Sequence, residues 1–527
     1  MSEEAILGRL MLAFEGERVP RWMTARLRAA PLAGVTLFRA FNVRSAGQVR
    51  ELAEGLQRAG GGAGPLLIAA DQEGGQLMAL GPDATEFAGN MALGAVGDET
   101  LTERVGAAIG REARAMGVNV VYAPVLDLAT EPANANLGIR SFGDDAAAVA
   151  RHGAAMVRGL QSAAVAATFK HFPGLGEVAQ DTHHGLGVVG GSREDLDAKG
   201  LAPFRAAIAA GARMAMSAHV AVPALTGDPT LPATLSRVTM DGLLRTDLGF
   251  RGVSISDALD MRALAQGPAQ SVDIIAAVRA GLDLLLCSAD RRAQRRIEAT
   301  LRAAAVRGLF DDRDLAASST RLADLRAWLA AAGARDRFDL DIVGSTEHRA
   351  LSRELAERAL TRFDRAPDGG LPPRLVLAAD ARILAIMPEP RDLTPADTSS
   401  MVAPGLGRAL RTRFTSVDAV VVEAAPSGAA IAALRARAGA ADAVIVGTIE
   451  AHRQPAQADL VRAIAGTGTP TIAVALRTPW DVATYPAGMP AICTYSILAD
   501  PLEALATALR GEIGFPGRAP VAIEPSR

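Results

Sequence analysis

A chain of 527 residues with 49% apolar content can bury more than one core. A formal net charge of −3 gives no electrostatic reason to expect nucleic acid or a membrane surface as partner. The opening MSEEAILGRLMLAFEGERVP is acidic and has neither a basic n-region nor an apolar h-region. No apolar run approaches the ~18 residues that span a bilayer, so a cytoplasmic chain is expected.

From about residue 30 to 290, short apolar runs alternate with long alanine- and arginine-rich helical stretches. The runs are GVTLF (34–38), PLLIAAD (65–71), VNVVYAPVLDL (118–128), VAATFKHF (165–172), ARMAMSAHV (212–220), GVSISDA (252–258) and LDLLLC (282–287). Near-continuous apolar strands separated by helices indicate a parallel sheet covered on both faces. Seven units over this length predict a (β/α)8 barrel, with the eighth strand unplaced and a doubly wound open sheet as the alternative. Residues 1–332 are assigned to this barrel, and 333–365 read as a linker followed by a helix. A second alternating set, RILAIM (382–387), AVVVEAA (419–425), AVIVGTI (443–449), TIAVALR (471–477) and AICTYSI (491–497), predicts a smaller α/β sandwich over 366–527. Cys287 and Cys493 lie far apart in apolar stretches and read as buried reduced thiols.

Polar residues interrupt these runs at their C-terminal ends, where a parallel barrel carries its catalytic groups. Asp71 closes the second run, Lys170 and His171 the fourth, His219 the fifth and Asp257 the sixth. Any one of them alone reads equally well as a helix cap or an ion pair. Their convergence on one rim points to a site.

The segment KHFPGLGEVAQDTHHGLGVV (170–189) is the richest. It holds three of the seven histidines and one of only two lysines, Lys170, the other being Lys199. Pro173, Gly174 and Gly176 mark a loop. In an extended loop Asp181 and His183 point the same way, so the carboxylate orients an imidazole able to exchange protons near neutral pH. A turn in which Asp181 only satisfies its own backbone is the plain alternative. A metal reading would use His171, Asp181, His183 and His184, but their spacing matches no familiar ligand pattern. Asp257 follows a strand of small and β-branched residues and suits a nucleophile toward an anomeric carbon, or an N-cap for a helix starting near Ala258. Asp260 would then lie inside that helix. In DQEGG (71–75) the glycines permit close approach of a ligand to the backbone, or simply make a turn.

DQEGG, APVLDL…NLGIRSFGDD (123–145), KHFPGLG…DTH (170–183), MSAHV (216–220), LPATLS (231–236) and GFRGVSISDALDM (249–261) occur in order. Together they resemble the bacterial β-N-acetylglucosaminidase branch of glycoside hydrolase family 3. TPWDVATYP (478–486) and GEIGFPGRAPVAI (511–523) resemble the second domain of its two-domain members. The resemblance implies Asp257 as nucleophile, His183 as general acid/base with Asp181 as its dyad partner, and Asp71, Arg140, Lys170 and His171 as hydrogen-bonding partners of the sugar. It implies a retaining exo-β-glycosidase acting on terminal β-N-acetylglucosamine of cell-wall or chitin-type fragments, as monomer or homodimer, without metal or organic cofactor. The alternatives are a β-glucosidase or β-xylosidase, a β-N-acetylglucosaminide phosphorylase, and a catalytically silent sugar-binding protein. Leu175 stands where the family usually has a second histidine, and Gln76 and Ala79 stand where arginines are common.

Overall fold

A computed structural model describes residues 3–60, 64–335, 338–363 and 375–523. Eight strands form the first sheet: β1 (Leu10–Leu12), β2 (Gly34–Leu37), β3 (Leu67–Ala70), β4 (Val120–Val121), β5 (Ala166–Phe172), β6 (Met214–Ser217), β7 (Val253–Ser256) and β8 (Leu285–Cys287). Their order is β7-β6-β5-β4-β3-β2-β1-β8. A parallel bridge between Ile255 and Leu284 joins β8 back to β7, so the sheet closes into the expected barrel.

The seven apolar runs supply β2 to β8. The eighth strand is β1, in the N-terminal segment whose charge and lack of a long apolar stretch give no sign of a strand. Three residues are too few to show a period, yet Leu10, Met11 and Leu12 are fully buried, with Leu10 opposite Leu285 and Met11 opposite Gly34. Side chains alternate across the barrel wall. Met11, Tyr122, Met214, Met216 and Ile255 share an interior cluster, which Leu322, Leu325 and Leu329 of helix Asp312–Arg335 complete. Outward residues such as Leu10, Val35, Ile68 and Val121 pack beneath the surrounding helices.

Two of those helices, Glu99–Ala115 and Ala146–Ser162, are capped by Asp98 and Asp145, whose side chains accept from Thr100 and Leu101 and from Ala148. They approach very closely: a Cβ at Gly159 would lie 2.3 Å from the carbonyl oxygen of Glu103.

The second sheet has six strands, β9 (Thr361–Phe363), β10 (Arg382–Pro388), β11 (Ser416–Val422), β12 (Ala443–Thr448), β13 (Thr471–Ala475) and β14 (Ala491–Cys493), in the order β9-β14-β13-β12-β10-β11. Only β9 is antiparallel to its neighbour. The segment read as linker and helix thus holds helix Thr346–Ala359 and then a strand of this sheet. Ile383, Ala385 and Met387 of β10 face one apolar cluster and Leu384 and Ile386 the other, as in an α/β sandwich. Among the described residues no helix is long and apolar enough to cross a membrane.

Candidate active site

The loops at the C-terminal ends of the barrel strands surround one cavity of about 590 Å3, and Asp71, Arg140, Lys170, His171, His183 and Asp257 all line it. Its floor is a network of buried charges. Asp71 follows β3 directly, and Lys170 projects from β5 with its Nζ 2.6 Å from Asp71 Oδ1 and 2.5 Å from Glu73 Oε1. Arg140 holds Glu73 in a fork, Nε to Oε2 and Nη2 to Oε1, both at 2.9 Å. Burial disfavours the Glu73 carboxylate, but Arg140 and Lys170 outweigh it and push the pKa down to about 2. Burial likewise opposes the Lys170 ammonium, and Asp71 and Glu73 reverse the balance and raise its pKa.

Arg140 Nη1 donates to the carbonyl and side-chain oxygens of Asn136, and Nη2 also donates to His171 Nε2 at 3.3 Å. All five of its N–H groups are therefore engaged. A guanidinium only donates, so His171 Nε2 is the acceptor and its Nδ1–H points to Asp127 Oδ2, 2.7 Å away. Asp127 also accepts from the backbone of His171 and of Leu175, fixing the start of the 173–176 loop. Of the charged floor groups that line the cavity, Asp71, through Oδ2, and the Lys170 ammonium, which has a third N–H, keep hydrogen-bonding capacity.

Asp181 and His183 do meet, though on a turn and not an extended strand. Asp181 Oδ1 accepts from the His183 backbone at 2.9 Å and from its Nδ1 at 2.7 Å, while the Asp181 carbonyl accepts from His184 and Gly185. The turn geometry and the oriented imidazole are one structure. Burial works against the Asp181 carboxylate, but the hydrogen bonds from His183 leave its pKa lowered. The backbone N–H of Arg262 donates to the His183 carbonyl at 3.4 Å, tying this turn to the loop that follows Asp257.

Asp257 ends β7. No helix begins at Ala258; the next α-helix is Gln270–Arg279, so capping does not explain this carboxylate. Its Oδ1 accepts from Ala258 N at 2.7 Å. Burial would raise its pKa, and the imidazoles of His219, His171 and His183 together with that hydrogen bond lower it. Asp260 lies in the same loop, outside any helix, and bonds both the backbone and the hydroxyl of Ser288. His219 is buried, its Nε2 3.1 Å from the Ala258 carbonyl, and supports the Asp257 loop from behind.

Glu73 and Asp127 were not singled out from the sequence. The signal for Glu73 was its place two residues after Asp71, on the same side of a short ribbon (Gln72–Gly74), but the adjoining glycines drew the reading toward a turn. The departures have clear fates. Leu175 packs with Val178, Val189 and Val220. Ala79 lines the cavity. Gln76 hydrogen-bonds Arg477 of the second domain, and Arg477 pairs with Asp397 at 2.8 Å. Thr398 donates to the Gln76 carbonyl from its backbone at 2.8 Å and its hydroxyl at 3.0 Å, so the loop carrying Asp392 to Met401 forms one wall of the cavity. Among the described residues no three His, Cys, Asp or Glu side chains gather as a metal-holding group.

The sequence matches the model described as the glycosyl hydrolase family 3 N-terminal domain over residues 11–325. The chain belongs to glycoside hydrolase family 3. This family 3 chain is 34% identical over 369 residues to beta-hexosaminidase A of Pseudoalteromonas piscicida, an alignment covering 65% of the chain and 61% of that protein. It is 34% identical over 322 residues to a beta-N-acetylglucosaminidase/beta-glucosidase of Cellulomonas fimi, covering 58% of the chain and 56% of the relative. It therefore spans less than two thirds of the length of both. A solved family 3 beta-N-acetylglucosaminidase from Paenibacillus sp. str. FPU-7 superposes over 100% of both chains with a TM-score of 0.93 and 32% identity.

Proposed function

We propose that this family 3 protein is a retaining exo-β-N-acetylglucosaminidase in which Asp257 is the nucleophile and His183, oriented by Asp181, the general acid/base. The observation that carries the reading is a carboxylate and a carboxylate-held imidazole facing one cavity above a floor of paired charges. An Asp257 oxygen attacks the anomeric carbon as His183 passes its proton to the departing glycosidic oxygen. The imidazole, now neutral, takes a proton from water, whose oxygen attacks the glycosyl-enzyme ester from the face the leaving group vacated. The sugar leaves with its configuration retained and His183 is again protonated. Asp71 and Lys170 offer the unsaturated hydrogen-bonding positions for sugar hydroxyls. Arg140 and His171 line the same cavity, and with their donors engaged they act mainly by fixing Glu73 and the floor.

The second domain brings two acids to the cavity, Asp392 and Asp397, but Asp397 is locked to Arg477 and Asp392 to Ser400. This favours the His183 dyad over an acid from that domain, the arrangement expected of a β-glucosidase. Buried free thiols at Cys287 and Cys493 suit a reducing, cytoplasmic compartment, where a monomer or homodimer would trim small cell-wall or chitin-type fragments. Product NMR on an aryl β-N-acetylglucosaminide, run with and without phosphate, tests the reading. The β-anomer of free N-acetylglucosamine should form first, whereas a sugar 1-phosphate would replace hydrolysis by phosphorolysis. Asp257→Ala should lower kcat by roughly four orders of magnitude while sugar still binds. Ordinary turnover by that variant would remove Asp257 from the mechanism.

A further inference from the structure

Two points of the second domain reach the barrel loop that carries Arg140. Between β4 and the 3-10 turn Gly138–Arg140 the chain has no helix or strand, so side-chain contacts set its shape. Asn134 organises the middle: its Oδ1 accepts from Leu137 N at 3.0 Å and its Nδ2 donates to the Leu175 carbonyl at 3.0 Å. Asn136 then receives Arg140 Nη1 on its carbonyl and on its side-chain oxygen, at 3.0 and 3.1 Å. The guanidinium that forks onto Glu73 is thus aimed by the loop's own backbone, and a shift of Asn136 moves it.

Segment 477–481, which follows β13, governs both ends of this loop. Arg477 hydrogen-bonds Gln76, and Gln76 lies so close to Gly138 that a Cβ there would stand 2.8 Å from Gln76 Oε1. Asp481 is fully buried and accepts from the Thr448 hydroxyl, from the His452 backbone at 3.2 Å and from His452 Nδ1 at 2.7 Å. Trp480 adds an edge-on contact, with ring centroids 5.8 Å apart. Fixed on its Nδ1 side in this way, the imidazole reaches the Pro132 carbonyl with Nε2 at 3.0 Å. A carbonyl only accepts, so Nε2 carries a proton.

We propose that His452 is a positioning residue: its bond to Pro132 keeps the 132–140 loop in the shape that aims Arg140 at Glu73, and so pre-organises the charged floor for the sugar. The inference rests on the N-acetylglucosaminidase reading, in which that floor holds the terminal ring. His452 lies outside the residues that line the cavity and acts only through the loop. Without its bond the loop samples other shapes, and substrate spends binding energy restoring the competent one. KM rises while the bound complex reacts as before.

Two substitutions separate this role from a purely structural one. His452→Gln sets an amide nitrogen close to where Nε2 lies and can still donate to Pro132, whereas His452→Asn reaches only the Asp481 side. On p-nitrophenyl β-N-acetylglucosaminide, His452→Asn should raise KM about tenfold with kcat within about threefold, and His452→Gln should hold KM within about threefold of the wild type. Combining His452→Asn with Arg140→Lys should cost less than the product of the separate losses, because both act through one guanidinium. The opposite ranking, with His452→Asn tolerated and His452→Gln damaging, would assign His452 to the Asp481 network alone and overturn the proposal. A KM unchanged in both variants or raised equally in both would overturn it too, as would a His452→Asn protein that does not fold. A wild type that leaves the substrate uncut overturns the N-acetylglucosaminidase reading, and the positioning role with it.

Discussion

At the scale of single residues, the division of labour between Asp257 and the His183–Asp181 pair has a kinetic signature. A proton matters most to a poor leaving group. His183→Ala should therefore cost about 10²- to 10⁴-fold in kcat/KM on alkyl glycosides and much less on a dinitrophenyl glycoside, a contrast that equal losses on both would erase. Glu73 makes a different contribution. It is the shared counter-ion of Arg140 and Lys170, and Glu73→Gln leaves two buried cations with one fewer partner. Breaking such a pair costs about 3–5 kcal/mol, which denaturant unfolding of the two proteins would measure. Its folded pKa of about 2 lies below the ordinary 4.5, so the stabilisation is complete above the ordinary value and disappears as pH falls through the folded one. The wild type should lose stability across that acid window more steeply than Glu73→Gln.

At the scale of elements, the close passage of helix Ala146–Ser162 over helix Glu99–Ala115 has no room for a methyl group at position 159. Gly159→Ala should lower stability by about 1–3 kcal/mol even though alanine favours helix, and thermal melting reads the sign directly. The barrel and most of the sandwich were legible because parallel strands buried on two faces leave unbroken apolar runs, whereas the largely exposed edge strand β11 shows only through its valines. β1 was not, since Leu10–Leu12 acquires its identity only from partners in β2 and β8. Most floor residues were legible for a related reason: a charge ending an apolar strand is conspicuous. Asp127 and Glu73 escaped notice because what makes them matter, His171 in one case and Lys170 with Arg140 in the other, lies tens of positions away. The fates of Gln76 and Ala79 were still less accessible, as the partner of Gln76 is 401 positions along the chain.

At the scale of the whole molecule, His452 of the second domain bridges to the barrel. Its Nδ1 lies 2.7 Å from Asp481 Oδ1 and its Nε2 3.0 Å from the carbonyl of Pro132, on the loop that leads to Asn136 and Arg140. Two acceptors at the two nitrogens call for the doubly protonated ring. Burial lowers its pKa, but the hydrogen bond to Asp481 and the charges of Glu450 and Asp481 outweigh it, and the net shift is upward. A raised folded pKa means that the stabilisation is fully present below the ordinary value of 6.5 and is lost as pH rises through the folded value. Melting temperature should therefore decline in the wild type as pH rises from 6.5 through the folded value, and His452→Gln should flatten that part of the curve. An unchanged slope in the variant would assign it to other groups.

The seam of the barrel also bears on how the chain is made. Leu10 finds its partner at Leu285, so a ribosome must synthesise more than half of the protein before the first strand gains its second neighbour. Until then the nascent sheet has two open edges, at β1 and β7, each offering unpaired amides to any strand that passes. Chaperone occupancy during translation should peak over that interval and fall once β8 has cleared the exit tunnel.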